Sequence, residues 1–203
     1  MKTIFIPALR KISLTQKKIS EISQKLPKNI VVAYSIQYKN LAIQLKNQLS
    51  KKHNIKKLTQ VLGCSKIKIP KKTQAILLIS SGKFHAENLA IQTSLPIYIY
   101  NSKISKIQEK NIEKLRKQKK SSYLKFLHAN NTGILISIKP GQENLEKAIQ
   151  LKKQIKNKKS YLFLGDNINK QEFENFNKVQ SWINTACPRI CDDFRLLNFE
   201  DII

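Results

Sequence analysis

Glycine and proline are scarce in this chain, five and six among 203 residues. Disordered and low-complexity segments are rich in such residues, so a folded chain with few irregular stretches is expected. No apolar run approaches the roughly 18 residues that a membrane helix needs. The apolar stretch Thr3 to Leu9 is short and meets Arg10 and Lys11 at once, which leaves no targeting signal in view and points to a cytoplasmic protein without membrane contact. Cysteines number three. In a reducing compartment that small odd number argues against a disulfide framework and leaves metal binding, catalysis or packing. Acidic side chains are also few, 13 against 38 basic ones, for a formal charge of +25.

Such a charge ordinarily suggests nucleic acid. Its make-up points elsewhere, because the arginines are only Arg10, Arg116, Arg189 and Arg195 and the lysines are scattered along the whole chain. A dedicated nucleic-acid surface concentrates arginine for bidentate phosphate contacts and interleaves aromatics. Pairs such as Lys51-Lys52 and Lys158-Lys159 read as solvated faces. A specific nucleic-acid partner is not expected, and a basic RNA-binding α/β protein stands only as an alternative.

What is present alternates strand and helix. Strands are expected at Thr3 to Pro7, Asn29 to Ile36, Ala75 to Ile79, Ile97 to Tyr100, Gly133 to Ile138, Tyr161 to Leu164 and Val179 to Ala186. Helices are expected at Thr15 to Leu26, Asn40 to Leu49, Glu87 to Gln92, Ser105 to Ala129, Glu143 to Ile155 and Gln171 to Phe176. Apolar strands without strict alternation, interleaved with helices, predict an α/β fold with parallel sheets covered on both faces. The segment Ala42 to Leu49 is echoed at Ala148 to Ile155, each copy preceded by a β-branched strand and followed by a Leu-Gly pair, Leu62-Gly63 and Leu164-Gly165. Two similar domains, 1–104 and 105–203, joined near Asn101 to Lys106, are the simplest account.

Strand-to-helix loops lie at the carboxyl edge of a parallel sheet, where ligands of open α/β proteins bind. On this topology Cys64, the Ser80 to His85 loop, the Lys139 to Gln142 loop and Cys187 are candidates to converge on one edge region. Taken singly, each has a plain structural explanation. Cys64 after a strand is as readily a packing residue, His85 at a helix start more often caps or packs, and Lys139-Pro140-Gly141-Gln142 lacks the spacing of a P-loop. Cys187 and Cys191 lack the further cysteines of a common iron–sulfur or zinc signature. Cys187 sits where Pro188 ends strand pairing, and Arg189 beside it favours a thiolate.

In their order along the chain these motifs resemble one family. Gln60 to Cys64, Ile76 to His85 running into Leu95 to Tyr100, Gly133 to Gln142, and Thr185-Ala186-Cys187-Pro188-Arg189-Ile190 with Asp192-Asp193 together resemble the 2-(3-amino-3-carboxypropyl)histidine synthases of archaeal type, over almost the whole chain. That resemblance implies a first-step enzyme of diphthamide biosynthesis built from three similar α/β domains, of which this chain matches the second and third. Each domain gives one cysteine to a 4Fe-4S cluster that cleaves S-adenosylmethionine, and the resulting 3-amino-3-carboxypropyl radical adds to a histidine of translation elongation factor 2. Residue by residue, Cys64 and Cys187 match the cluster ligands of the middle and last domains. Arg189, Lys139, Gly141 and Gln142 match positions suited to the substrate carboxylate, and Gly82 and His85 belong to the matched loop of the middle domain.

The chain departs from the family in having no first domain with its cysteine ahead of residue 1, and Ser80-Ser81-Gly82 stands where the family has Gly-Asp-Gly. Three readings follow. A separate polypeptide, or a homologous subunit, supplies the missing domain; or Cys191 acts as a substitute ligand; or the chain is a non-catalytic partner of a complete homologue.

Overall fold

The computed structural model describes residues 4, 6, 8–63, 65–190 and 196–202. Its central strands form where the chain is apolar on both sides. In β1 (Asn29–Tyr34) Ile30, Val32 and Tyr34 join one buried cluster while Val31 and Ala33 join another. β3 (Ala75–Ile79) divides the same way, with Leu77 and Ile79 on one face and Ile76 and Leu78 on the other. Each such side chain contributes about 1.5–3 kcal/mol when fully buried.

The first cluster is closed by α1 (Gln16–Lys25) and α2 (Lys39–Leu49), the second by α3 (Lys83–Thr93) together with Ile67 and Ile69. β2 (Asn54–Gln60), β4 (Ile97–Asn101) and β5 (Lys103–Lys106) complete a sheet of order β2-β1-β3-β4-β5. All its pairings are parallel except β4 with β5. Thr15 caps α1 by accepting the Lys18 N–H, and Pro27 follows its end. The His53 ring holds this corner: Nδ1 donates to the Pro27 carbonyl at 2.9 Å, and Nε2 is hydrogen-bonded to the Ser23 hydroxyl at 2.8 Å.

The second sheet is parallel throughout, in the order β7-β6-β8-β9, from β6 (Asn131–Ser137), β7 (Lys159–Gly165), β8 (Ser181–Asn184) and β9 (Leu197–Asn198). One face buries Ile134, Ile136 and Ile183 against Ala148 and Leu151 of α5 (Leu145–Gln154) and Phe126 of α4 (Glu109–His128). The opposite face carries an aromatic group. Trp182 stacks on Phe173 of the short α6 (Lys170–Phe173) with ring centroids 4.6 Å apart and lies 4.7 Å from Phe163. Gly133 lies flat beneath the indole, and a Cβ there would overlap the six-membered ring.

The chain forms two compact units, Met1–Ile112 and Glu113–Ile203, which divide within α4. The two sheets repeat one topology: β2-β1-β3-β4 matches β7-β6-β8-β9, with α2 and α5 in equivalent places. The sequence echo is also an echo of burial. Ala42 and Leu45 are buried, as are Ala148 and Leu151, whereas Ile43 and Ile149 are exposed in both copies.

Several sequence expectations change: Ile36 leaves the expected strand Asn29 to Ile36 for a 3-10 turn, the expected strand Val179 to Ala186 narrows to Ser181–Asn184, and β2 forms over a range not assigned to a strand from the sequence. Ile4 and Ile6 are exposed and lie in no strand, while Thr3, Phe5 and Pro7 fall outside the described residues. Ser105 and Lys106 belong to β5, not to the following helix, because Ile104 buries itself against the first cluster when the chain turns back at Ser102 (φ 76°). The segment beyond Phe173 leaves the helix, and Phe176 packs on Phe163 at 4.7 Å.

Candidate functional site at the carboxyl edges

In the second unit two predicted loops meet. Lys139-Pro140-Gly141-Gln142 is a tight turn closed by the Gln142 N–H on the Lys139 carbonyl at 3.0 Å. Proline at its second position and Gly141 at φ 78° in the third give a type II turn, which demands a residue tolerant of positive φ. Ser137 Oγ accepts the Lys139 N–H at 3.2 Å, and the Lys139 ammonium donates to Asn167 Oδ1 at 2.5 Å. Asn144, just before α5, ties this turn to the cysteine loop. Its Nδ2 donates to the Thr185 carbonyl at 2.9 Å and to the Gln142 carbonyl at 3.4 Å.

The cysteine loop leaves β8 in an ordered way. Thr185 extends the pairing by donating both its N–H (3.1 Å) and its hydroxyl (2.7 Å) to the Leu135 carbonyl. Cys187 then turns the chain: its carbonyl accepts the Ile190 N–H at 3.0 Å and Asn184 Nδ2 at 3.0 Å. The Cys187 side chain is a free, half-buried thiol, and Arg189 is exposed two residues on.

In the first unit Gly63 meets the first turns of α3. The Ser65 N–H donates to the Leu62 carbonyl at 3.1 Å, while Ser65 Oγ accepts the Leu62 N–H at 2.8 Å. The Phe84 ring covers Gly63, where a Cβ would overlap it, and the Asn88 side chain donates to the Gly63 carbonyl. His85, in the first turn of α3, is half-buried with its ring edge-on to Phe84 at 5.6 Å. Gly82 is the α3 N-cap with φ −116°, and a Cβ there would meet nothing within 4 Å.

Cys64 and Cys191 lie outside the described residues. Among the described residues no group of three histidine, cysteine or acidic side chains could hold a metal ion. Sequence reasoning passed over Asn144 and Asn184. The signal for Asn184 was available, since a carboxamide inside an apolar strand must find partners when buried.

Comparison with known proteins agrees with this architecture. The family of diphthamide synthesis proteins matches residues 1–196. The 2-(3-amino-3-carboxypropyl)histidine synthase of Pyrococcus horikoshii is 26% identical over 208 residues, covering 95% of this chain and 60% of its own length. The enzyme of the same name from Methanocaldococcus jannaschii is 30% identical over 214 residues, covering 97% and 58%. The crystal structure of Pyrococcus horikoshii Dph2 with a 4Fe-4S cluster superimposes with a TM-score of 0.76 at 25% identity, over 92% of this chain and 59% of that one. The chain therefore spans about three fifths of the length of these relatives. With its fold, its paired carboxyl-edge loops and a match over nearly its full length, this chain belongs to the diphthamide synthesis protein family.

Proposed function

We propose that this chain supplies two α/β domains of an enzyme that transfers the 3-amino-3-carboxypropyl group of S-adenosylmethionine to a histidine of translation elongation factor 2. In this reading a separate polypeptide provides the first domain, and the assembly works in the cytoplasm. Among the described residues no helix is long and apolar enough to cross a membrane. The observation that carries the proposal is the half-buried Cys187 thiol on a hydrogen-bonded turn at the carboxyl edge, within a chain whose relative carries a 4Fe-4S cluster.

Cysteine sulfur suits iron, but the described residues supply one cysteine, which is no cradle for a cluster by itself. Cys64 and the added polypeptide are the proposed sources of the other donors. When bound, such a cluster supplies the electron for reductive cleavage of S-adenosylmethionine. This chain's own part is to hold and orient. In this reading the Lys139–Gln142 turn and the exposed Arg189 meet the substrate carboxylate, whose charge-assisted hydrogen bonds are stronger than neutral ones. Gly82 and His85, at the start of α3, are the first unit's proposed contribution.

The test is anaerobic co-expression with the candidate first-domain polypeptide, iron and sulfide, followed by iron quantification and electron paramagnetic resonance. The wild-type complex is expected to carry an iron–sulfur signal that Cys187→Ser abolishes or strongly reduces. Equal iron and an unchanged signal in the Cys187→Ser complex would overturn the ligand assignment.

A further inference from the structure

We propose that Asn184 is the positioning residue for Cys187: its carboxamide fixes the backbone on both sides of the thiol-bearing carbon. Asn184 is the last residue of β8 and is 1% exposed. Its Oδ1 accepts the Ala186 N–H at 3.0 Å, and its Nδ2 donates to the Cys187 carbonyl at 3.0 Å. These two backbone groups flank the point at which the chain has left the sheet and has no ladder partner to define its path. A side chain with a donor and an acceptor on one rigid plane replaces the missing strand.

The carboxamide is itself held. Nδ2 also donates to Asn198 Oδ1 at 3.0 Å, across the β8–β9 pair. The Asn198 N–H donates to Asp201 Oδ2 at 3.3 Å, and Asp201 Oδ1 receives the Lys119 ammonium of α4 at 3.1 Å. A continuous polar path thus runs from α4 through the C-terminal strand to the cysteine turn. In a buried site these bonds are worth more for defining one geometry than for net stability, since an unpaired carboxamide there is costly and a paired one close to neutral. Aspartate keeps the acceptor and loses the donors, leucine keeps the volume and loses both, and glutamine moves the plane by a methylene. The catalytic weight of this placement rests on the reading of Cys187 as a cluster ligand; the placement itself does not.

The experiment is competitive alkylation of the cluster-free full chain with iodoacetamide, resolved by site in a mass spectrometer. In Asn184→Leu the Cys187 rate is expected to rise about five- to tenfold, as the loss of a local hydrogen-bonded restraint implies. Cys64, in the other unit, serves as the internal reference and keeps its wild-type rate. Should Asn184→Leu fail to fold, Asn198→Ala removes one anchor of the carboxamide and is expected to give a smaller rise, again at Cys187 alone. An unchanged Cys187 rate in a folded variant, or a parallel rise at Cys64, would overturn the proposal, the second outcome marking Asn184 as a general stabiliser. No iron enters this measurement, so its failure is separate from a failure of the ligand assignment tested through Cys187→Ser.

Discussion

The two units solve one problem in different ways. Each must hold a loop that follows a strand, around Gly63 in the first unit and around Cys187 in the second. The first unit uses packing: α3 lays Phe84 over Gly63 and adds the Asn88 amide to the Gly63 carbonyl. The second uses side-chain carboxamides, Asn144 and Asn184, which pin the Thr185, Gln142 and Cys187 carbonyls. A helix covers a loop broadly, whereas a few directional bonds fix particular backbone groups. The second solution locates a turn more sharply and has fewer redundant contacts to fall back on.

The largest effect that would sharpen this comparison comes from the cores beneath the loops. Leu77, wholly buried between β1 and β4, is expected to cost about 2–5 kcal/mol on truncation to alanine. Hydrogen exchange in mild denaturant should then show amides of β1, β3 and β4 exposed before those of β6. Simultaneous loss throughout the chain would mean that the units do not differ in local stability.

Next come the two covered glycines. Gly133→Ala forces a methyl against Trp182, which is braced by Phe163 and Phe173, and a cost of about 1–3 kcal/mol is expected. Gly63→Ala meets the Phe84 ring first, half-buried on a helix's first turn and freer to swing, so its thermal shift should be the smaller one. A reversed order would break the contrast between a braced and a loosely covered edge. Asn144→Ala should cost about 1 kcal/mol through its lost hydrogen bonds and should speed exchange of the Gln142 amide without touching β1.

The smallest effect at neutral pH lies in the first unit. Tyr100 is buried with no partner for its hydroxyl among the described residues, and burial, followed by the nearby Glu21 carboxylate, pushes its phenol above the ordinary value. The folded chain therefore keeps that proton longer than the unfolded chain does. This contribution to stability is whole below about pH 10 and is lost as pH rises through the raised folded value. Tyr100→Phe removes that unpartnered hydroxyl, so it should raise the denaturation midpoint slightly at pH 7 and should flatten the alkaline fall, which a series of midpoints would reveal.

Much of the fold could be read because burial on both faces leaves a clear mark. Ala75 to Ile79 is a strand over those same residues, and the amphipathic spacing of α2 marked its end at Leu49. What could not be read depends on partners far along the chain. β9 has two residues and exists only because Leu197 and Asn198 pair with Ile183 and Asn184. β5 carries one apolar residue, Ile104, and abuts a long helical pattern, so local periodicity favoured the helix. At the site, Cys187 and the Lys139 to Gln142 turn stood out by residue type. Asn144 and Asn184 did not, because an asparagine's value here lies in which carbonyls it reaches.

The division between the units falls inside α4, a continuous helix of 20 residues. Proteases prefer exposed, irregular chain, and a peptide bond locked into helical hydrogen bonding fits poorly into their clefts. Digestion of the folded protein should therefore leave the stretch around Ile112 and Glu113 intact at first. Fragments made to study either half alone would need their termini set beyond the ends of that helix, at the cost of including it twice.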